Sequence, residues 1–185
     1  MAPFDEHPFE TERLRARRLT REDLELIEAL YGDEESVRYL GVPPLREREE
    51  AEAHLRRMLE RNERYAHCKG AWVLELSDSR RAVGVILCKH PRLSGADGAL
   101  AEQIEVGWHL RPDARGQGYA TEAARAILAY AFDRLGCEQV LILTEPPHRK
   151  SRAVAERLGL RAWGPTRDFY DIEMLQFVAR RGDLV

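Results

Sequence analysis

The chain has 185 residues, of which 44% are hydrophobic and 33% charged, a composition typical of one soluble globular domain with its own core. Its net charge of −3 gives no reason to expect a nucleic-acid-binding protein, and no apolar run reaches the length of a membrane span. The three cysteines Cys68, Cys88 and Cys137 form no C-x-x-C pair and the histidines lack metal-ligand spacing, so we expect reduced thiols, no metal and a cytoplasmic protein.

The first part of the chain predicts a short flexible tail over residues 1–10, followed by a strand and two helices. Apolar residues at helical spacing follow a capping-box pattern at 20–23, and a second helical pattern surrounds residues 51–59. Two β-rich apolar runs joined by a turn predict a hairpin, and one further strand follows it. The strands predicted in this part are 14–19, 71–76, 82–88 and 101–110.

The clearest predicted helix begins beside Gly118 and is ended by Gly136, with apolar residues recurring at i, i+3 and i+4 along it. A strand over 139–144, a short helix and a hairpin within 161–179 follow. The order β-α-α-β-β-β-α-β-α-β-β predicts a single α/β domain over residues 1–185, with a mixed sheet and helices on its faces. The long helix is expected to cross over between parallel strands.

The most informative segment is the glycine loop, defined as Arg115-Gly116-Gln117-Gly118-Tyr119-Ala120. A strand, a glycine turn and a helix start form an anion-binding cradle, because glycine permits close approach and the first helical turn offers free N–H groups. Thr121 replaces the third glycine of G-x-G-x-x-G, and G-K-[ST] is absent, which disfavours dinucleotides and magnesium nucleotides. Nearby basic residues suit a polyanion, unless they are only solvated faces: Arg111, Arg115, Arg125, Arg149, Lys150 and Arg152.

These residues make the chain similar to the GNAT superfamily of N-acetyltransferases. The acetyl-CoA motif of that superfamily, [Q/R]-x-x-G-x-[G/A], is matched by Arg115, Gly118 and Ala120. Four further segments resemble the branch that acetylates the N-termini of ribosomal proteins: 11–17, 104–110, 144–151 and 157–160. The resemblance implies a GNAT-like fold with acetyl-CoA as co-substrate, and it allows a homodimer. His148 departs from the family pattern, which usually has asparagine there.

The resemblance also implies which residues bind the cofactor. Backbone N–H groups of the glycine loop would hold the CoA pyrophosphate, and the strand edge before the loop would pair with the pantetheine arm. The residues expected to bind it are Trp108, His109, Leu110, Arg115, Gly116, Gln117, Gly118, Tyr119, Ala120, Thr121, His148, Ser151 and Arg152. The plainer alternatives are a glycine turn that serves packing alone and a tryptophan that belongs to the core.

Glu105 is the expected general base. It is a carboxylate within an apolar strand, on the same face as Gly107 and His109, and the family branch has a glutamate here. Partial burial makes a carboxylate a better base near neutral pH. The alternative is a surface-facing strand charge, and Glu102 is a weaker candidate for the base.

The general acid is less well defined by the sequence. Many members of the superfamily use a tyrosine where this chain has Ala155, so Ser151 is the expected proton donor by resemblance. A helix-capping role for Ser151 is equally compatible with its position, and Tyr170 is a less favoured donor. Aromatic and acidic residues of the last hairpin either line an amine-binding cleft or pack on the core: Trp163, Asp168, Phe169, Tyr170 and Asp171.

The sequence therefore predicts an acetyl-CoA-dependent N-acetyltransferase in which a primary amine attacks the thioester directly. A protein or peptide N-terminus is favoured as acceptor, because α-amines titrate near about 8 and lysine amines near about 10. A metabolite or antibiotic amine is the alternative. A catalytically silent CoA-binding module of the same fold is a second hypothesis, motivated by His148 and the missing tyrosine.

Overall fold

Seven strands form one mixed sheet in the computed structural model, which describes residues 7–64 and 69–183. The strands are β1 (Leu14–Arg18), β2 (Gly70–Leu76), β3 (Ala82–Lys89), β4 (Ile104–Leu110), β5 (Gln139–Thr144), β6 (Ala162–Thr166) and β7 (Met174–Arg180). The α-helices are α1 (Leu24–Tyr31), α2 (Glu34–Val37), α3 (Arg48–Arg64), α4 (Tyr119–Asp133) and α5 (Arg149–Arg157). The strand order β1-β2-β3-β4-β5-β7-β6 confirms the predicted mixed α/β sheet.

The elements follow the predicted order with two differences. The helix α2 is missing from the prediction, because its four residues are too few for a periodic apolar pattern. The prediction of a strand from residue 101 is wrong at its start, since β4 begins at Ile104. The Ala101 N–H donates to the Pro91 carbonyl at 2.9 Å, which keeps residue 101 in the preceding loop.

The predicted tail over 1–10 needs correction where it is described. Residues 1–6 lie outside the described part of the chain. The Phe9 carbonyl accepts a hydrogen bond from the Ala16 N–H at 3.1 Å, and the Phe9 ring packs against the core. Residues 7–10 therefore fold back on β1, because an aromatic ring near the chain start finds apolar surface to cover.

The structure can be compared with two expectations from the composition, namely reduced thiols and the absence of a membrane span. Cys88 is buried and Cys137 is half-buried, both without a disulfide, and Cys68 lies outside the described residues. No helix within residues 7–64 and 69–183 combines the length and the apolar character that crossing a membrane requires.

One parallel strand pair sets the shape of the molecule. Among the described strands, β4 and β5 are the parallel neighbours, and α4 is the crossover between them, as predicted. Their pairing is limited to Ile104 with Val140 and Glu105 with Leu141, whereas β5 pairs with β7 along its whole length. Beyond Glu105, β4 and β5 consequently separate and leave a gap in the sheet.

The two faces of the sheet carry separate apolar cores, because side chains alternate along each strand. Trp72 and Phe177 belong to the core that α4 and α5 cover. Val73 and Val85 belong to the core that α1 and α3 cover. Each large side chain buried this way contributes about 1.5–3 kcal/mol, which holds the two helical layers in place around the gap.

The close approach of β3 to β4 at Gly84 can be tested by substitution. A Cβ atom at Gly84 would lie 2.3 Å from the His109 carbonyl oxygen and 2.7 Å from Leu110 Cδ2. We expect Gly84→Ala to lower the free energy of unfolding, measured by urea denaturation, by about 1–3 kcal/mol, the usual cost of overpacking. Gly107→Ala is the control, since its nearest contact is Leu87 Cδ1 at 3.7 Å, and should be neutral or stabilise by up to about 1 kcal/mol. Equal losses in both variants would contradict the packing argument.

Candidate active site

A cleft of about 2000 Å³ opens where β4 and β5 separate. The Arg111 N–H donates to the Val83 carbonyl at 2.9 Å, so the odd-numbered residues of β4 turn their backbone groups toward β3. By alternation, the backbone groups of Val106, Trp108 and Leu110 face the gap. This strand edge can pair with an extended ligand that contains amides.

The predicted cofactor-binding residues gather around this cleft, with two exceptions. Those that line it are Trp108, His109, Leu110, Arg115, Gly116, Gly118, Tyr119, Ala120, Thr121, His148 and Ser151. Gln117 and Arg152 are not among the lining residues. The Arg152 guanidinium instead donates from Nη1 to the Pro146 carbonyl at 3.1 Å and braces the turn before α5.

The Trp108 and Leu110 side chains pack against the core beneath α4. The plainer prediction that Trp108 belongs to the core therefore holds for its ring. Its backbone nevertheless faces the gap, so one residue serves both the core and the cleft.

The glycine loop has the backbone that the sequence predicts. Gly116 and Gly118 have φ values of 78° and 82°, a region that side chains rarely enter. Gly118 is the N-cap of α4, and no side chain caps this helix end. The N–H groups of the first turn therefore stay available to an anion, and the helix dipole favours negative charge there.

Arg13 braces this loop from β1, a contact that sequence reasoning misses. Its Nη1 donates to the Gln117 carbonyl at 3.0 Å, and its Nε donates to the Glu122 carboxylate at 2.7 Å. Glu122 lies in the first turn of α4, where an unpaired carboxylate would repel an anionic ligand. Although burial opposes it, hydrogen bonds from Thr11 and Arg13 hold the pKa of Glu122 below its ordinary value.

The Arg115 side chain is directed away from the loop that its backbone helps to form. Its Nη2 donates to the Ser36 hydroxyl and lies 3.5 Å from an Asp33 carboxylate oxygen, at the start of α2. Glu35 of the same helix forms a 2.5 Å ion pair with Lys150 at the start of α5. The helix α2 thus closes one side of the cleft, and its acidic residues are paired with Arg115 and Lys150. The sequence predicts both of these cations near a polyanionic ligand.

His148 departs from the family pattern for a reason that the fold supplies. Its ring stacks on Tyr39 with centroids 4.4 Å apart and planes 20° apart. Burial, with help from Lys150 and Arg115, lowers the pKa of His148, so the ring is neutral near pH 7. An asparagine could not make this aromatic contact.

Two hydroxyl groups line the cleft beside His148. Ser151 is half-buried and lines the cleft. No side chain caps the start of α5, so the alternative prediction that Ser151 caps this helix does not apply. The Thr144 hydroxyl at the end of β5 is buried and has no hydrogen-bond partner among the described residues. Thr144 belongs to the segment 144–151 that resembles the family branch, but it is not among the predicted site residues.

Glu105 is buried, with 7% of its surface exposed, and lines the cleft at the point where β4 and β5 part. The Tyr170 hydroxyl donates to Glu105 Oε2, and Lys89 Nζ lies 3.3 Å from the same oxygen. Lys89 Nζ also donates to the Tyr170 hydroxyl at 2.6 Å. Both contacts go to Oε2, which leaves Oε1 for a ligand. Glu102, the weaker candidate for the base, is exposed and is not a lining residue.

A strained turn holds Tyr170 in this position. Tyr170 and Asp171 have φ values of 63° and 60°, which cost energy for residues other than glycine. The Asp171 carboxylate accepts hydrogen bonds from the Gly95 N–H at 2.7 Å and from Arg92 at 2.5 Å. This clamp to the loop before β4 keeps the phenol directed at Glu105.

The other four hairpin residues predicted as candidates do not line the cleft. Trp163 is 62% exposed and lies beneath the Arg180 guanidinium, 5.2 Å from its ring centroid. Phe169 is buried in a third apolar cluster. Of the five hairpin residues predicted as candidates, Tyr170 alone lines the cleft.

On the face of β4 that carries Glu105, three ring side chains form a cluster. Tyr31 and His109 are hydrogen-bonded between the phenol oxygen and Nδ1 at 2.9 Å, and the Tyr31 and His54 rings lie 4.2 Å apart. Burial, aided by the positive charge of Lys89, lowers the pKa of His109 to about 3. Burial, aided by Arg57 and Arg61, lowers the pKa of His54 to about 4. Both imidazoles are therefore neutral near pH 7.

Comparisons with known proteins show the family of the chain. The family model described as "Acetyltransferase (GNAT) domain" matches residues 13–161. The uncharacterized N-acetyltransferase YoaA of Bacillus subtilis is 24% identical over 164 residues, 86% of both chains. The uncharacterized N-acetyltransferase YnaD of the same organism is 35% identical over 60 residues, which span 32% of this chain and only 35% of that protein.

A solved structure supports the same fold. RimL, described as a ribosomal L7/L12 alpha-N-protein acetyltransferase in complex with coenzyme A, superimposes with a TM-score of 0.74. The match covers 95% of this chain and 98% of that chain, at 14% identity. At this identity the likeness concerns the fold alone.

The contacts of Arg13 with the glycine loop allow a test of whether this loop binds CoA. Arg13→Met removes the hydrogen bonds to Gln117 and Glu122 and leaves a carboxylate unpaired beside the cradle. We expect the dissociation constant for CoA, measured by titration calorimetry, to rise about tenfold, equivalent to about 1.4 kcal/mol. Arg15→Met is the control, because Arg15 contacts His7 at 2.8 Å rather than the loop. An equal loss of affinity in both variants would show that Arg13 acts only through the stability of β1.

Proposed function

The chain belongs to the GNAT acetyltransferase family, and we propose on that premise that it transfers the acetyl group of acetyl-CoA to a protein or peptide N-terminal α-amine. As an N-acetyltransferase it is an enzyme. The observation that carries the proposal is one cleft that contains both an anion cradle and a buried carboxylate with one free oxygen. We also propose that the described residues form one domain, since one continuous sheet runs through them.

The residues of one half of the cleft fit CoA. We assign its pyrophosphate to the N–H groups of the glycine loop, and its remaining phosphate to the cations that line this half: Arg125, Arg149 and Lys150. The gap-facing backbone of β4 suits the amides of the pantetheine arm. The buried, unpartnered Thr144 hydroxyl is a polar group that such a ligand would satisfy.

Glu105 is the proposed general base. The acetyl thioester supplies the electrophilic carbonyl carbon. As the amine nitrogen forms its bond to that carbon and the carbon–sulfur bond breaks, Glu105 Oε1 takes one proton from the nitrogen, directly or through water. Lys89 and Tyr170 are proposed as positioning residues, because both hold Oε2 and so fix the direction of Oε1.

The departing sulfur carries the electron pair of the broken bond and takes a proton. Ser151 is the proposed donor, because its hydroxyl lines the cleft and is not used to cap α5. Its proton is restored from solvent. A backbone N–H of β4 that faces the gap is the proposed group that polarises the carbonyl.

An N-terminal α-amine is the acceptor that these features favour. A volume of about 2000 Å³ exceeds the roughly 300–1,000 Å³ of a small-ligand pocket and leaves room for CoA together with a chain end. RimL, which shares the fold, acts by its description on a ribosomal protein N-terminus. A small amine is the alternative acceptor. The stacking of His148 on Tyr39 removes one reason for proposing a silent module, since it gives the departure a packing role.

Replacement of the base tests the mechanism. We expect Glu105→Gln to lower kcat by about 10²–10⁴, because an amide cannot take the amine proton, while CoA affinity by calorimetry is retained. Glu102→Gln is the matched control, three residues earlier on the same segment but exposed, and should leave kcat unchanged. Undiminished turnover in Glu105→Gln would remove this residue from the mechanism.

A second substitution separates positioning from folding. Tyr170→Phe keeps the ring but removes the hydrogen bond to Glu105 Oε2. Loss of one such bond predicts a fall in kcat of about tenfold, with the KM for acetyl-CoA and the melting temperature unchanged. A parallel rise in that KM, or a lower melting temperature with the same kcat, would assign Tyr170 a structural role instead.

A further inference from the structure

We infer that the acceptor is an amine that carries a carboxylate close to its nitrogen, such as an N-terminus followed by an acidic residue, and that Arg61 binds this carboxylate. The inference rests on the proposed function, because it names the substrate class of the same cleft. The acceptor end is defined as the part of the cleft lined by α3, β3, Arg92, Glu105 and residues 170–174.

The acceptor end carries more positive than negative side chains among the described residues. Arg61, Lys89 and Arg92 are the lining cations and Glu105 is the lining anion within the described residues. Lys89 is engaged with Glu105, and Arg92 forms a 2.5 Å ion pair with Asp171, outside the lining. Arg61 is exposed and has no ion pair in the described part of the chain. Among the described lining residues of this end, Arg61 is therefore the cation without an ion pair.

Arg61 stands on a fixed part of the scaffold. The next residue, Asn62, is buried and accepts a hydrogen bond from the Ala71 N–H at 2.9 Å while donating to the Ala71 carbonyl at 2.8 Å. Met58, one turn earlier, is buried in the core. The last turn of α3 is thus bound to β2, which fixes the backbone of Arg61 at the wall of the cleft. A guanidinium matches the geometry of a carboxylate with two parallel hydrogen bonds.

The positive potential of this end is visible in its neutral side chains. The pKa of His54 falls through burial and through the charges of Arg57 and Arg61, and the pKa of His109 falls through burial and the charge of Lys89. The same potential disfavours an ammonium ion and so favours the neutral amine that can attack a carbonyl. It also disfavours a polycation such as a polyamine. An acceptor with its own carboxylate compensates the potential where Arg61 lies.

The test uses matched acceptors that differ by one charge. Ser-Glu-Ala-Ala-amide, Ser-Gln-Ala-Ala-amide, free glutamate and spermidine are offered with acetyl-CoA, and CoA release is followed. We expect the Glu peptide to exceed the Gln peptide about tenfold in kcat/KM and spermidine to be the poorest of the four. Acetylation of free glutamate would identify a small acceptor, and acetylation of the Glu peptide alone a chain end; either supports the shared chemistry.

Two variants assign the effect to Arg61. Arg61→Gln should reduce the preference for the Glu peptide to less than threefold, whereas Arg64→Gln should retain it. Arg64 is the matched control because it is exposed on the same helix turn but does not line the cleft. Equal kcat/KM for the two peptides with the native chain, or an undiminished preference in Arg61→Gln, would overturn the inference.

Failure of the proposed function would be seen separately. If no acceptor is acetylated, the proposed activity is wrong, and charge selectivity is then read from binding. Titration of the CoA-bound protein with N-acetyl-Ser-Glu-Ala-Ala-amide and its Gln counterpart requires no turnover. Tighter binding of the acidic peptide, lost in Arg61→Gln, supports the anion subsite; equal binding of the two peptides overturns it.

Discussion

The separation of β4 from β5 beyond Glu105 is the constraint on which the rest of the structure depends. Backbone N–H and C=O groups inside a protein need partners, yet from Val106 to Leu110 the side of β4 toward β5 lacks a strand neighbour among the described residues. β5 keeps its full pairing with β7 on its other side. At the end of the gap the Leu110 carbonyl accepts a hydrogen bond from Arg115 Nε at 3.2 Å. A ligand with amide groups is suited to pair with the rest of this edge.

Positive side chains contact a carboxylate at both ends of the cleft, with a different consequence at each end. At the glycine loop, Arg13 neutralises Glu122 so that the helix N-terminus stays attractive to phosphate. At the acceptor end, Lys89 compensates the charge of Glu105, and burial together with the charge of Lys89 keeps the imidazole of His109 neutral. The net charge of −3 for the whole chain conceals both arrangements, because a total does not show where the charges lie.

The sequence predicts those structural features that are determined by residues close together in the chain. The loop with Gly116 and Gly118 and the stripe of α4 are visible because local conformation and 3.6-residue periodicity determine them. The contact of Tyr170 with Glu105 spans 65 residues, and that of Arg13 with Glu122 spans 109. No local pattern records such pairs, so Glu105 is predictable as a carboxylate within an apolar strand, but the residues that contact it are not. The hydroxyl of Thr144 was hidden similarly, since only the fold leaves it unpartnered.

The acidic helix α2 adds a further consequence of this arrangement. Asp33 and Glu35 hold Arg115 and Lys150, two cations beside the cradle, in ion pairs of 3.5 Å and 2.5 Å. Both pairs are exposed to solvent, and exposed ion pairs contribute little to stability. A phosphate of CoA, which carries more charge than a carboxylate, can therefore compete for Lys150 at small cost. The Glu35–Lys150 pair links α2 to α5 on the side of the cleft where Tyr39 stacks on His148.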